Sequence, residues 1–96
     1  MAVETFPLDI AEILSDDESR ALYLADALET GDQDTITNAL GVVARAAGMS
    51  DLAKATGLKR PALYRALAPG GNPELRTLLA VTKALGLQLT AHKIQA

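Results

Sequence analysis

Apolar positions recur at helical spacing through most of the chain, and glycines punctuate them. Ser15-Asp-Asp-Glu18 is a capping-box sequence, in which Ser15 accepts an orphan amide and Glu18 reaches back. After it, Ala21, Leu24, Ala25 and Leu28 follow i, i+3, i+4, i+7 spacing, and Gly31 closes the helix. Asp32 caps a second helix with an inward stripe of Ile36, Leu40, Val43 and Ala47, stopped by Gly48. Beyond Gly48 the segments shorten. Ser50 caps DLAKAT, with Leu52 and Ala53 inward, and Gly57 ends it. Leu58 anchors the turn, Pro61 fits the first turn of the next helix, and Leu63, Ala66 and Leu67 face inward. APGGN stops that helix. Asn72-Pro73 then restarts one by cap and first-turn proline, with Leu75, Leu78, Leu79, Thr82 and Leu85 inward and Gly86 as stop.

The tail LQLTAHKI alternates at Leu87, Gln88, Leu89 and Thr90, which is strand periodicity. The N-terminal VETFPL can pair with it, as an edge strand only, because Pro7 lacks a donor. The pattern predicts one domain over residues 1–96: a helical part to residue 48, a helix-turn-helix core over 49–86 and a strand over 87–94.

Composition agrees with helices. Apolar residues make up 49% of the chain but only 3% is aromatic, so the core is aliphatic. The absence of cysteine removes disulfides, thiolate metal sites and cysteine nucleophiles. No apolar run approaches the roughly 20 residues that cross a bilayer. The opening MAVETFPLDIAEIL lacks a secretion signal's basic start and long apolar run, so a cytoplasmic protein is expected.

Charge changes the picture more. Residues 1–48 hold ten acids and two bases, whereas residues 49–96 hold two acids and seven bases. A net −8 half joined to a +5 half suggests a polyanion on one side and a basic partner on the other, against the alternative of a mere dipole across one domain.

Position favours the first reading. Two short helices joined at Gly57, the second basic, define a helix-turn-helix. The face opposite Leu63 and Leu67 carries Pro61, Ala62 and Arg65, with Arg60 and Tyr64 on its flanks. The N-terminal end of such a helix usually meets base edges. Arg60, Pro61, Tyr64 and Arg65 are therefore candidates to face bases, and Lys59, Asn72 and Arg76 candidates to hold phosphates. The competing readings are plain: Arg60, Arg65, Arg76 and Lys54 as solvated charges, Tyr64 as flank packing, Asn72 as a helix cap.

LAKATGLKRPALYRALAPGGNPELRTLLAVTKALGLQL resembles the Xre/Cro-type helix-turn-helix, and most closely the probable addiction-module antidote proteins. DLAKATGL, LYRAL, GNPELRTLLAVTKALGL and the upstream ALETGDQDTITNALGVVARAAGMS carry the resemblance, which runs from about Phe6 to Leu89. It implies an all-α, five- to six-helix lambda-repressor-like domain. It also implies an antitoxin encoded beside a small RelE/ParE-like toxin, binding that toxin and repressing the shared operon, often as a homodimer on double-stranded DNA. The chain departs from the pattern at three places. Lys59 stands where Ser or Thr commonly caps the recognition helix, Met49 replaces a frequent Gln, and Pro61 occupies a position that is frequently polar.

Enzymatic chemistry is not expected. Asp16/Asp17 and Asp32/Asp34 sit at helix starts, where the helix dipole favours acid. His92 is the single histidine, without a second metal ligand beside it, and PGG ends a helix instead of following a strand. No cofactor is expected. Two rival functions stay open at this level: a stand-alone prophage-type repressor, and a protein-only binding module whose basic helix meets an acidic partner. The apolar positions Phe6, Leu8, Ile10 and Ile13, or the Leu22/Tyr23 face, are expected to carry the toxin contact.

Overall fold

The computed structural model describes residues 15–95. Five helices form its regular structure: α1 (Asp17–Thr30), α2 (Gln33–Ala47), α3 (Met49–Thr56), α4 (Arg60–Ala66) and α5 (Leu75–Ala84). The described fold is all-α, with no strand among these residues.

α1 begins one residue later than a Ser15 cap would place it. Asp16 is the N-cap, and its carboxylate accepts the Ser19 amide at 2.7 Å. An ionised acceptor outcompetes a hydroxyl for an orphan amide at the positive end of a helix. That bond, with the Ser19 side chain second, holds the Asp16 carboxyl below the usual carboxylate range. Arg20 folds back over this turn, donating to the Ser15 carbonyl at 3.2 Å and the Asp17 carboxylate at 3.3 Å. The buried stripe also differs from the one expected, for Leu24 and Ala27 are buried while Ala25 and Leu28 are exposed and Ala21 is half-buried. Leucine and alanine occupy more than one face of this helix, and packing on α2 selects the narrower one.

α2 is the hub. Asp32 caps it as expected, accepting both the Thr35 hydroxyl at 2.7 Å and the Thr35 amide at 3.0 Å. Leu40, Val43 and Ala44 are fully buried, Ile36 and Ala47 partly so, and Thr37, Ala39 and Gly41 join them. Burial on so many sides follows from its position, packed on α1 and on α3.

α3 starts at Met49 directly after Gly48, with no side-chain cap, and Ser50 is exposed. Met49 is itself buried in the core, and that burial draws the first turn two residues earlier than a serine cap would. α3 in turn packs on α4 and α5. In α5 the start moves the other way. Asn72-Pro73 does not open the helix; Glu74 is the N-cap residue, without a side-chain bond, and Leu75 is first. Leu75 and Leu79 are exposed instead of inward, while Val81, Thr82 and Leu85 are buried. Thr82 satisfies its hydroxyl on the Leu78 carbonyl at 2.9 Å, so it enters the core without an orphan polar atom. One apolar cluster runs from Leu24 through Leu40, Val43, Leu52, Leu63 and Leu67 to Leu85.

The strand expected over 87–94 does not form among the described residues. Leu87 donates to the Thr82 carbonyl at 2.8 Å and packs on the core, but residues 88–95 make no backbone–backbone bond with another described residue. Strand alternation is not sufficient, since a strand exists only where a neighbour supplies the ladder. The partner expected for it, VETFPL, and the apolar positions Phe6, Leu8, Ile10 and Ile13 lie outside the described residues. The tail instead runs beside α1. A Cβ on Gly86 would lie 3.6 Å from Asp17 Oδ2, and farther along His92 Nε2 lies 3.1 Å from Glu29 Oε2.

Candidate nucleic-acid interface

α3 and α4 are joined by Gly57, Leu58 and Lys59. Gly57 adopts φ 76°, which glycine alone reaches without a steric cost, and its amide donates to the Ala53 carbonyl at 3.0 Å. Thr56 reinforces the corner, donating to the Ala53 carbonyl and accepting the Leu58 amide, each at 3.2 Å. Leu58 packs on the core, so the corner is tied from both inside and outside. Lys59 sits at the N-cap of α4 and makes no side-chain cap bond, because an ammonium has no acceptor to offer.

α4 is seated by Leu63 and Leu67, exposed to 0% and 1%, with Ala66 half-buried. Everything else on it faces solvent: Arg60, Pro61, Ala62, Tyr64 and Arg65 are all exposed. Pro61 lies in the first turn, where its missing N–H costs no bond. The structure brings two of the candidates into contact. The Arg60 guanidinium stands 5.6 Å from the centroid of the Tyr64 ring, and Arg60 Nη2 donates to the Tyr64 hydroxyl at 3.3 Å. This pairing fixes a long cationic side chain along the helix surface, where Arg60 alone would sample many rotamers.

Lys54, Lys59, Arg65 and Arg76 form neither an ion pair nor a side-chain hydrogen bond with another described residue. Arg76 is exposed on the first turn of α5. Asn72 does something the sequence did not indicate. Its Oδ1 accepts from Gln33 Nε2 at 2.8 Å, tying the loop after α4 to the first turn of α2. The two residues are 39 apart in sequence, and no local pattern announces such a bond. Asn72 is thus a strut, and its own amide N–H groups form no side-chain hydrogen bond with another described residue.

Away from α4, hydrogen bonds shift two further titratable groups. Asp32 is held below the usual carboxylate range by the Thr35 hydroxyl first and the Thr35 amide second. The His92 ring is raised above its ordinary value by its hydrogen bond to the Glu29 carboxylate, then by the Lys93 carbonyl 3.2 Å from Nδ1. No group of three acidic or histidine side chains that could hold a metal ion occurs among the described residues. No helix among them is long and apolar enough to cross a membrane.

A family model described as "Probable addiction module antidote protein" matches residues 4–93. The chain belongs to that family. The antidote match takes in every described helix and nearly all of the tail, so acidic half and basic half fall inside a single family unit. A protein of Haemophilus influenzae, described only as uncharacterised, is 44% identical over 85 residues, covering 88% of this antidote-family chain and 88% of that protein. No solved structure matches the chain.

Proposed function

We propose that this chain is the antidote of a toxin–antitoxin pair. In this reading it is a non-catalytic cytoplasmic protein that binds operator DNA as a homodimer through α3 and α4. It represses its own operon and neutralises a small basic toxin of RelE/ParE-like type. Membership of the antidote family supports the pairing with a toxin. The observation that carries the DNA part is the construction of α4, buried through Leu63 and Leu67 and presenting Arg60, Tyr64 and Arg65 outward.

A helix of seven residues is about 10 Å long and fits a major groove about 12 Å wide. Arg60 and Arg65 are the base-reading groups, because a guanidinium matches the O6 and N7 acceptors of guanine. Tyr64 braces Arg60 and offers an apolar edge, and Pro61 abuts the groove floor. Lys59, Arg76 and the free amide of Asn72 contact phosphates, which hold register without reading sequence.

The decisive experiment measures binding of the full chain to duplex from upstream of its own gene, between 50 and 200 mM salt, against random duplex. The expected result is a preference for the upstream sequence and a log–log salt slope of about −0.9 per neutralised phosphate. Binding that ignores both salt and sequence removes the DNA reading. Co-expression with the adjacent reading frame tests the other part, with relief of growth arrest and co-purification expected. A preference for DNA with no neighbouring partner would leave a stand-alone repressor.

A further inference from the structure

The antidote reading requires a partner protein and leaves open where it docks. Ala21, Ala25 and Leu28, a helical stripe that belongs in a core by its spacing, stand instead on the wall of an open groove of about 490 Å³. The opposite wall is the tail, through Leu87, Leu89 and Ile94. At 100° per residue, Leu22 stands opposite the Leu24/Ala27 stripe that packs on α2, and it is 64% exposed. Glu18, Asp26 and Glu29 lie four before, four after and seven after Leu22, on the same outward face. All three are exposed, and Glu18 and Asp26 form no ion pair with a described residue.

We propose that this groove, with Leu22 on its lip, is the docking surface for the partner toxin, and that it takes a segment bearing apolar side chains flanked by Lys or Arg. Charge selects this occupant. A second copy of the chain, meeting this face across a two-fold axis, would set Glu18, Asp26 and Glu29 against their own duplicates. Nucleic acid is repelled by the same acids. A cationic protein surface is attracted by them, and the apolar groove supplies the desolvated centre that charge alone does not. The site lies on α1, which packs on α2, whereas the DNA-facing α4 is carried by α3, so the two ligands use different helices.

The proposal rests on the antidote reading, and one experiment separates their failures. The full chain is titrated with the purified product of the adjacent reading frame, by calorimetry and by amide chemical shifts. Two variants are compared with the natural chain. Ala25→Arg fills the groove with a cation at an exposed, helix-compatible position; Leu22→Arg replaces the apolar lip with a charge that repels a Lys- or Arg-flanked segment. The expected result is at least about tenfold weaker partner binding in each, with unchanged thermal midpoint and unchanged DNA affinity. Shifts on partner binding are expected at residues 21–28 and 87–91. Should Ala25→Arg disturb folding, Leu22→Arg carries the test alone. Full partner affinity in the folded variants overturns the groove and leaves the antidote reading standing; no binding by the natural chain overturns both. The groove assignment also falls if Ala25→Arg turns a dimer into a monomer, or if contacts between residues 1–14 and Ala25 persist in the complex.

Discussion

The Leu67 carbonyl lies against Gly41, so closely that a Cβ at position 41 would stand 2.6 Å from the oxygen. Leu67 is the C-cap residue of α4, so this contact sets how deeply α4 rests on α2. A mid-helix glycine normally costs roughly 0.5–1 kcal/mol relative to alanine, and propensity alone would make Gly41→Ala stabilising. Here the obstacle is backbone, which cannot swing aside as a side-chain end does. Gly41→Ala is expected to destabilise by about 1–3 kcal/mol, read as a lower urea midpoint at unchanged slope. A raised midpoint would mean that α4 sits farther out.

Arg60 and Tyr64 give a graded series. Arg60→Ala or Arg65→Ala should cost about 1–3 kcal/mol on the preferred operator and little on random duplex. Tyr64→Phe removes the hydroxyl that accepts from Arg60 and keeps the ring under the guanidinium, so its loss should be the smaller. Tyr64→Ala frees Arg60 altogether and should approach the Arg60→Ala value. Equal losses on specific and random duplex would show that these residues hold phosphates and do not read bases.

Lys59 and Arg76 should behave oppositely. Replacing either by Ala is expected to weaken all sequences alike and to make the salt slope shallower by about 0.9. An unchanged slope in both variants would place them in solvent on the complex.

The tail offers a pH readout. His92 is raised above the ordinary histidine value of about 6.5 by its bond to Glu29, so the contribution is present in full below that value. It is lost as pH rises through the raised folded-state value. Residues 88–94 should therefore be better ordered in 15N relaxation at pH 6 than at pH 8. Glu29→Gln should return the His92 titration toward its ordinary position and abolish that difference; a titration unmoved by Glu29→Gln would separate the tail from α1 in solution.

Glycine punctuation carried over from sequence to structure almost without change, because a left-handed residue is a local property: Gly31, Gly57 and Gly86 all take positive φ at helix ends. Caps carried over less well. Asp32 was readable, but Ser15 lost to the neighbouring carboxylate of Asp16, Ser50 to the burial of Met49, and Asn72 to a distant glutamine. Each depends on a competitor that a local window does not weigh. The inward face of α1 was likewise ambiguous, since Leu22, Leu24, Ala25, Ala27 and Leu28 fit more than one helical stripe. At the candidate interface the exposed cations and the seating of Leu63 followed from spacing alone. The Arg60–Tyr64 pairing was allowed by i, i+4 spacing but not demanded by it.

Gln33 and Gly41 both lie on α2, yet one holds the loop after α4 and the other lets α4 approach. The chain therefore cannot be cut at Gly48 into two independent cassettes. A chimaera joining the first half of one antidote to the second half of a diverged one would bring an untested side chain against Asn72 and an unmatched surface beneath Leu67. Recombination between relatives should yield mostly unfolded proteins. Substitutions at Arg60, Ala62 and Arg65 face only solvent and Tyr64, and leave that joint alone. Under the proposed function, new operator preferences should therefore arise by point change on α4 and not by exchange of halves.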